Sequence, residues 1–422
     1  MGTKQYFYSV GRTLAIVAVV ALLVNVALAA NKEKVIYSFT GGSDGGDPAS
    51  TLIFDTAGNA YGTTVTGGDL NFGTVFELTP HSNGNWTETV LYSFLAGSDG
   101  KNPHGGVAMD AKGNLYGTTA AGGTGGTCAG DGCGTVFTLT RSGKNFAESI
   151  IYSFQGGKDG WDPGGGLIFD LQGNLYGTTA DGGTASGCFG QGCGTVYQLS
   201  PAKGGQWKEN VIHRFTNGKD GSRGSLGVLL LDTAGNLYGV AELGGDFGAG
   251  TVFKMTPGSA GKWSFSTIHA FKGVPRPGYP YGGVISDSNG NLYGTTYFGG
   301  ATGAGTVFKL TNSNGKWRES ELYSFKDGKD GSLPTCALVF DANGNLYGTT
   351  SEGGATASDG IIFKLTPSSA GKWKETVAHR FGPVPDGTNP NYGLVIDKKG
   401  NLYGTAPFGG LHNLGAVIEL TP

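Results

Sequence analysis

Asp-Gly pairs recur in six loops of the sequence, each shortly after an apolar segment. Carboxylates arranged around a common opening can bind a divalent cation such as Ca²⁺, or accept hydrogen bonds from sugar hydroxyls. An Asp side chain can also cap its own loop turn, and recurrence in nearly every repeat favours this structural alternative. No cofactor is therefore expected, and calcium bound by these carboxylates is the weaker alternative. The carboxylates are Asp44, Asp99, Asp159, Asp220, Asp330 and Asp386.

Better candidates for ligand binding are residues that depart from the repeat, because the demands of a repeated scaffold do not explain them. One loop replaces Asp-Gly with a segment rich in Pro and Tyr between Lys272 and Tyr281. Aromatic faces stack on sugar rings and charged groups orient a ligand, so these departures predict a binding patch; loop packing is an alternative of equal weight. The predicted ligand-binding residues are Arg276, Tyr279, Tyr281, Tyr297, Phe298 and Trp161, and Tyr392, Phe408 and His412 are further members of the same face.

Catalysis would need a pair of carboxylates at a suitable separation, as in polysaccharide hydrolysis. Glu242 lies where one repeat replaces Thr-Thr, and its candidate partners are Asp246 and Glu352. The sequence offers no further catalytic constellation. A hydrolase or lyase acting on polysaccharide is therefore the alternative to a non-catalytic protein.

Four cysteines lie at equivalent places in two neighbouring repeats, as Cys128 with Cys133 and Cys188 with Cys193. In an oxidising compartment, this spacing predicts two disulfides, each within one loop. A joint four-thiolate zinc site is the alternative. Cys336 is left over in an apolar segment, where we expect it to be buried and inert.

A repeat organises the whole chain. The motif Asp-x-x-Gly-Asn-(Leu/Ala)-Tyr-Gly starts at Asp55, Asp110, Asp170, Asp232, Asp287, Asp341 and Asp397. Glycine makes up 81 of 422 residues, and it recurs in register with strand-like segments, which excludes unstructured low-complexity sequence. Each unit reads as four short β-strands, and no apolar period of 3.6 residues supports helices.

These units predict an all-β, seven-bladed β-propeller with four antiparallel strands per blade. The last repeat lacks a fourth strand, whereas a lone segment of that type, at residues 35–39, stands ahead of the first repeat. Pairing of residues 35–39 with residues 415–420 would close the ring without an exposed sheet edge. Residues 30–422 are thus expected to form a single domain.

The repeated Asp-x-x-Gly segment has two interpretations. An Asp that accepts hydrogen bonds within its own turn, followed by a left-handed Gly, describes a hairpin turn. The segments at Asp287 and Asp341 also resemble calcium loops, but they lack the remaining acidic ligands of an EF-hand. The sequence therefore favours a structural turn.

Aromatic residues and histidines recur at fixed positions of the fourth strand. The tryptophans are expected to pack between blades, and they are Trp86, Trp207, Trp263, Trp317 and Trp373. His213, His269 and His379 stand where other repeats have Tyr. We expect them to be half-buried substitutes for tyrosine rather than metal ligands.

The first 29 residues have the character of a secretory signal peptide. Lys4 and Arg12 precede an uncharged apolar run, and Ala27-Leu28-Ala29 ends the segment. Without Lys4 and Arg12, 27 basic residues face 32 acidic ones. This mildly acidic chain has no basic cluster for nucleic acid and no later apolar stretch for a membrane. We expect a secreted or periplasmic protein.

The complete unit, Asn-Leu-Tyr-Gly-Thr-Thr, then Gly-Gly, then Gly-Thr-Val-Phe-x-Leu-Thr-Pro, resembles the GloVer (Gloeo/Verruco) tandem-repeat family of bacterial exported proteins. The resemblance covers nearly all of the mature chain and implies a propeller, without catalytic residues to carry over. Members often continue into a C-terminal sorting segment, whereas this sequence stops at Thr421-Pro422, which suggests a soluble product.

The sequence therefore predicts an exported, non-catalytic binding or scaffold protein, expected to be monomeric, whose ligand is a glycan or a protein at the cell surface. The alternatives are the polysaccharide-acting enzyme and a purely structural extracellular module.

Overall fold

The computed structural model describes residues 32–126, 128, 131–143, 145–183, 188, 190–224, 227–356, 358–369 and 371–422. The expected signal peptide lies outside these residues. No helix in the described part of the chain is long and apolar enough to cross a membrane.

Each repeat forms one small antiparallel sheet of four strands, and seven sheets arranged in a ring confirm the predicted β-propeller. The first strands are Ile53–Phe54, Val107–Met109, Ile168–Phe169, Leu230–Leu231, Gly278–Ser286, Val339–Phe340 and Val395–Ile396. The second strands are Ala60–Thr66, Leu115–Thr119, Leu175–Thr179, Leu237–Leu243, Leu292–Phe298, Leu346–Thr350 and Leu402–Ala406.

The outer half of each blade consists of longer strands. The third strands are Thr74–Pro80, Thr135–Ser142, Thr195–Pro201, Thr251–Pro257, Thr306–Ser313, Ile361–Pro367 and Ala416–Thr421. The fourth strands are Trp86–Ser93, Asn145–Ser153, Trp207–Arg214, Trp263–Ala270, Lys316–Ser324, Trp373–Arg380 and, in blade seven, Lys32–Ser38. Short segments at Gly46–Pro48, Ser222–Gly224 and Gly387–Thr388 pair with residues at or beyond the ends of second strands.

The motif glycine of the second strand is explained by the strand beside it. Gly62 pairs directly with Phe76 of the third strand. A Cβ at Gly62 would lie 2.6 Å from the Phe76 ring, which is too close for any side chain. Because Phe76 is fully buried in the core, the repeat needs the bulky ring and the glycine together.

The Asp-x-x-Gly segments are structural turns, as predicted. In the first of them, Asp55 Oδ1 accepts the backbone N–H groups of Ala57 and Asn59, both at 2.9 Å. Its Oδ2 accepts the Asn59 side-chain amide at 2.8 Å and the Tyr61 hydroxyl at 3.1 Å. In all seven turns, the Asp carboxylate accepts the same two backbone N–H groups and the side-chain amide of the motif Asn. The carboxylate is thus occupied by its own turn.

The N-terminal strand closes the ring, as predicted. Lys32–Ser38 pairs antiparallel with Ala416–Thr421, with Val35 opposite Ile418 and Ser38 opposite Ala416. The strand begins three residues earlier than residue 35, where the sequence prediction placed its start. Phe39 follows it and is fully buried, with its ring 5.1 Å from that of Phe76 in blade one.

Aromatic contacts from the fourth strand of one blade to the second strand of the preceding blade hold neighbouring blades together. Each fourth-strand tryptophan meets the motif tyrosine of the preceding blade edge-on, with ring centroids 5.7 to 6.5 Å apart. Near the centre, threonine hydroxyls donate to carbonyls of the next blade, as Thr295 does to Cys336 at 2.9 Å. The predicted interblade role of the tryptophans is therefore confirmed.

Candidate functional site

A cavity of about 810 Å³ lies where all seven blades meet. Every blade contributes residues at or next to its first strand, namely Thr51, Val107, Leu167, Val228, Tyr281, Cys336 and Gly393. At one end, the lining comes from both loop sets, the loops that enter each blade and those after each second strand. This end is the channel mouth, and its size suits a small ligand.

A continuous aromatic strip from blade five forms one wall of the mouth. The Tyr279 and Phe298 rings lie 5.7 Å apart, Phe298 and Tyr297 4.5 Å apart, and Tyr297 and Tyr281 6.3 Å apart. All four line the cavity. Phe298 is 40% exposed and Phe408, which lines the cavity from blade seven, is 49% exposed. Such exposed aromatic surface is available for stacking.

Two carboxylates flank this aromatic strip. Glu242 belongs to blade four and Glu352 to blade six, and both line the cavity. Burial raises the pKa of the Tyr297 hydroxyl, and the charges of Glu352 and then Glu242 raise it further, so both carboxylates lie near this phenol. Burial raises the pKa of Glu242 while Arg223, 3.8 Å away, lowers it.

A ring of residues with unusual backbone geometry surrounds the mouth, one from each blade. We call it the entry collar. Every member has φ between 54° and 61°, although none is glycine, and its N–H donates to a carbonyl of the preceding blade at 2.7 to 3.2 Å. The collar consists of Asp47, Asn102, Asp162, Arg223, Tyr279, Leu333 and Asn389.

The entry collar keeps one backbone conformation while its side chains differ from blade to blade. Left-handed non-glycine residues cost of order 1 kcal/mol each and concentrate at functional sites. The next residue is proline in six blades, and that ring packs against the preceding blade: a Cβ at Gly134 would lie 2.5 Å from Pro163 Cδ. The sequence analysis missed the collar, although the x-Pro dipeptide that recurs at six of the seven blade entries was a signal for it.

Two collar carboxylates lie in a low-polarity environment. Burial raises the pKa of Asp47 to about 6. Burial, followed by the charge of Asp181, raises the pKa of Asp162 to about 6, against the opposing effect of Arg223. Burial also lowers the pKa of His104, which lines the cavity. The collar therefore brings two carboxylates and one arginine close to a cavity that His104 lines.

The structure separates the predicted site residues into two groups. Tyr279, Tyr281, Tyr297, Phe298, Glu242 and Glu352, together with Tyr392 and Phe408, line the cavity. Arg276, Asp246, Trp161 and His412 are not among its lining residues. Asp246 is half-exposed and faces Lys219 at 3.7 Å, while Trp161 packs against the core between blades two and three. Of the two proposed carboxylate pairs, Glu242 with Glu352 lines the cavity, whereas Glu242 with Asp246 does not.

The six entry-loop aspartates lie away from the channel mouth, against the fourth strands. Asp99 accepts the Leu95 N–H at 2.6 Å and the Tyr92 hydroxyl at 2.7 Å. The others make equivalent bonds to their own loop or to the fourth-strand Tyr or His. This geometry agrees with the capping interpretation, and none of the six is among the lining residues.

The cysteines form the two predicted loop disulfides. Cys128 bonds Cys133 and Cys188 bonds Cys193, with Cα atoms 5.4 and 5.2 Å apart. These pairings replace the four-thiolate zinc alternative. Cys336 is a buried free thiol that accepts the Thr349 N–H at 3.0 Å.

Fold and cavity together define a seven-bladed β-propeller repeat protein with a cavity where its blades meet. The Gloeobacter/Verrucomicrobia repeat model matches residues 21–228 and 224–422. The chain therefore belongs to this repeat family, which confirms the resemblance noted in the sequence.

The chain is also similar to propellers of known structure. A fungal alcohol oxidase in complex with copper shares 14% identity, with a TM-score of 0.55 over 93% of this chain and 76% of the oxidase. A putative oxidoreductase (glucose dehydrogenase) from Thermus shares 14% identity over 93% of this chain and 100% of its own, with a TM-score of 0.46. At 14% identity, the similarity to the oxidase shows the fold alone. No curated protein matches the sequence significantly.

Proposed function

We propose that this protein is an exported binding protein that holds a saccharide at the channel mouth. The observation that carries this proposal is the aromatic strip of Tyr279, Phe298, Tyr297 and Tyr281 on the cavity wall, flanked by Glu242 and Glu352. Aromatic faces offer apolar contact to the C–H face of a sugar ring, and carboxylates accept its hydroxyl hydrogens. The signal-like N-terminus and the two disulfides support an oxidising location outside the cytoplasm.

The charges around the mouth narrow the class of saccharide. Glu242 and Glu352 line the cavity, and Asp47 and Asp162 lie in the entry collar around it. Arg223 is the one collar cation, and Glu242 lies 3.8 Å from it. A uronic acid would meet repulsion from these carboxylates, whereas neutral sugars and amino sugars would not. We therefore favour neutral or amino-sugar oligosaccharides as ligands.

The test is retention of labelled neutral, amino-sugar and uronic acid oligosaccharides by the purified protein. Tyr297→Ala should weaken retention at least tenfold, because it removes the centre of the aromatic strip while leaving the blade core intact. Phe247→Ala is the matched control, since Phe247 is 56% exposed and is not among the lining residues. Equal retention by both variants, or retention of a protein partner but no saccharide, would overturn the proposal.

An enzymatic role is the second candidate, and the shared cavity position of Glu242 and Glu352 is the observation in its favour. Hydrolysis would require one carboxyl to be protonated and the other ionised. Product analysis of the same oligosaccharides tests this directly. Turnover that is abolished in both Glu242→Gln and Glu352→Gln would replace the binding proposal with the hydrolase or lyase.

A further inference from the structure

A second group of ionisable side chains recurs far from the channel mouth, where the fourth strands of neighbouring blades meet. We call each such contact an outer junction. At four of them a fourth-strand tyrosine donates to an entry-loop Asp at 2.7 to 3.0 Å, in the pairs Tyr37–Asp44, Tyr92–Asp99, Tyr152–Asp159 and Tyr323–Asp330. A glutamate of the next blade lies near each pair, and in the same order these are Glu88, Glu148, Glu209 and Glu375. The Oε1 atom of each is buried without a hydrogen-bond partner among the described residues.

The outer junction between blades six and seven has a different donor set. His379 replaces the tyrosine, and its Nε2 lies 3.0 Å from Asp386 Oδ2. Glu33 supplies the glutamate, and its Oε1 is buried without a hydrogen-bond partner in the described chain. Ligand atoms of all three side chains lie within 4.8 Å of one another. The histidine and aspartate side chains are only 16% and 15% exposed.

The two other histidine junctions lack this combination. His213 lies 3.1 Å from Asp220, but Phe265 occupies the glutamate position and stacks on the imidazole at 3.9 Å. His269 lies 3.1 Å from Glu319, but its entry loop is the segment that replaces Asp-Gly. Among the described residues, one imidazole and two carboxylates meet at a single outer junction. The junctions of His213 and His269 serve as internal controls.

We propose that Glu33, His379 and Asp386 bind a divalent transition metal ion, with Zn²⁺ as the best match. One imidazole nitrogen and two carboxylate oxygens are ligands that zinc accepts, and a fourth position remains for water. The ion would neutralise two adjacent carboxylates and give Glu33 Oε1 a partner. The sequence analysis interpreted His379 as a substitute for tyrosine, and His379 does occupy the tyrosine position of the fourth strand. The tertiary structure places two carboxylate ligands, Glu33 and Asp386, beside it.

The location gives such an ion a structural consequence. Glu33 lies on the closing strand Lys32–Ser38, whereas His379 is the last residue but one of the fourth strand of blade six and Asp386 belongs to the next entry loop. A bound metal would therefore tie the N-terminal strand to the preceding blade. A metal ion that binds the folded state and not the unfolded state stabilises the fold. Above the dissociation constant, this stabilisation grows with the logarithm of the metal concentration.

The experiment measures zinc bound per chain after the purified protein, with both disulfides intact, is stripped with chelator and dialysed against Zn²⁺. We expect one ion for the wild type and none for His379→Tyr, whose new residue is native to four equivalent positions and should fold normally. His213→Tyr is the matched control and should retain one ion. Glu33→Gln should weaken zinc binding by roughly tenfold or more.

Thermal unfolding provides a second measurement. Zn²⁺ should raise the midpoint of the wild type and of His213→Tyr, and should leave that of His379→Tyr unchanged. A wild type that holds no zinc, or a His379→Tyr variant that holds as much as the wild type, would overturn the proposal. Saccharide retention by the same samples is a separate readout, so the two proposals can fail independently.

Discussion

Replacing Glu88 with glutamine should stabilise the protein at alkaline pH and leave its stability at acidic pH nearly unchanged. Glu88 lies at the outer junction between blades seven and one, and its Oε1 is buried without a described partner. Burial, followed by the charge of Asp44, raises the pKa of this carboxyl from 4.5 to about 8. The folded state therefore holds a proton that the unfolded chain releases at lower pH.

The sign of the effect follows from proton linkage. Because the folded-state pKa is the higher one, the stability associated with the protonated carboxyl is complete below about pH 4.5 and is lost as pH rises through about 8. One pKa unit corresponds to ~1.4 kcal/mol, so a shift of this size has a ceiling of ~5 kcal/mol. Glu88 is only partly buried and solvent screens its charge, which reduces the expected loss to about 1–2 kcal/mol.

Glutamine imitates the protonated carboxyl at every pH and should avoid this loss. The assay is denaturant unfolding of the wild type and Glu88→Gln at about pH 5 and about pH 8.5, comparing midpoints at equal slope. Asp69→Asn, which neutralises an exposed carboxylate in the same blade, is the control and should follow the wild type. If the wild type and Glu88→Gln lose the same stability between the two pH values, the reasoning is refuted.

Two further predictions concern the fold. Phe39→Ala should cost about 3–5 kcal/mol, because Phe39 is fully buried and its ring contacts Phe76 across the junction of blades seven and one; denaturant unfolding measures this, and a cost below about 1 kcal/mol would contradict the closing role of the N-terminal strand. Asp287→Ala should cost about 1–3 kcal/mol by removing the acceptor for Asn289, Asn291 and Tyr293. Added Ca²⁺ should leave the thermal midpoint of the wild type unchanged, and a calcium-dependent rise that Asp287→Ala abolishes would revive the calcium-loop interpretation.

Local features of this protein could be predicted because their interactions lie within a few residues of one another. The Asp55 turn is completed by Ala57, Asn59 and Tyr61, and the loop disulfides join cysteines five positions apart. The number of blades followed from counting one motif. The missing fourth strand of the last repeat even identified the partner of the N-terminal strand.

The candidate site could be predicted only in part. The aromatic residues of blade five stood out as departures from the repeat, and they do line the cavity. Arg276 and Asp246 were chosen by the same criterion, but they are not among the lining residues. A departure from the repeat shows that the scaffold does not require a residue, and it carries no information about the direction in which the side chain points.

The sequence by itself determined the all-β class, the seven repeats, the structural turns and the closure of the last blade by the N-terminal segment. Only the tertiary structure decided which side chains share the channel mouth, that seven left-handed residues form the entry collar, and that Glu33 meets His379 and Asp386. The physical reason is the same in each case. These groups lie on different blades, and the packing of one blade against the next sets their distances, which no local pattern encodes.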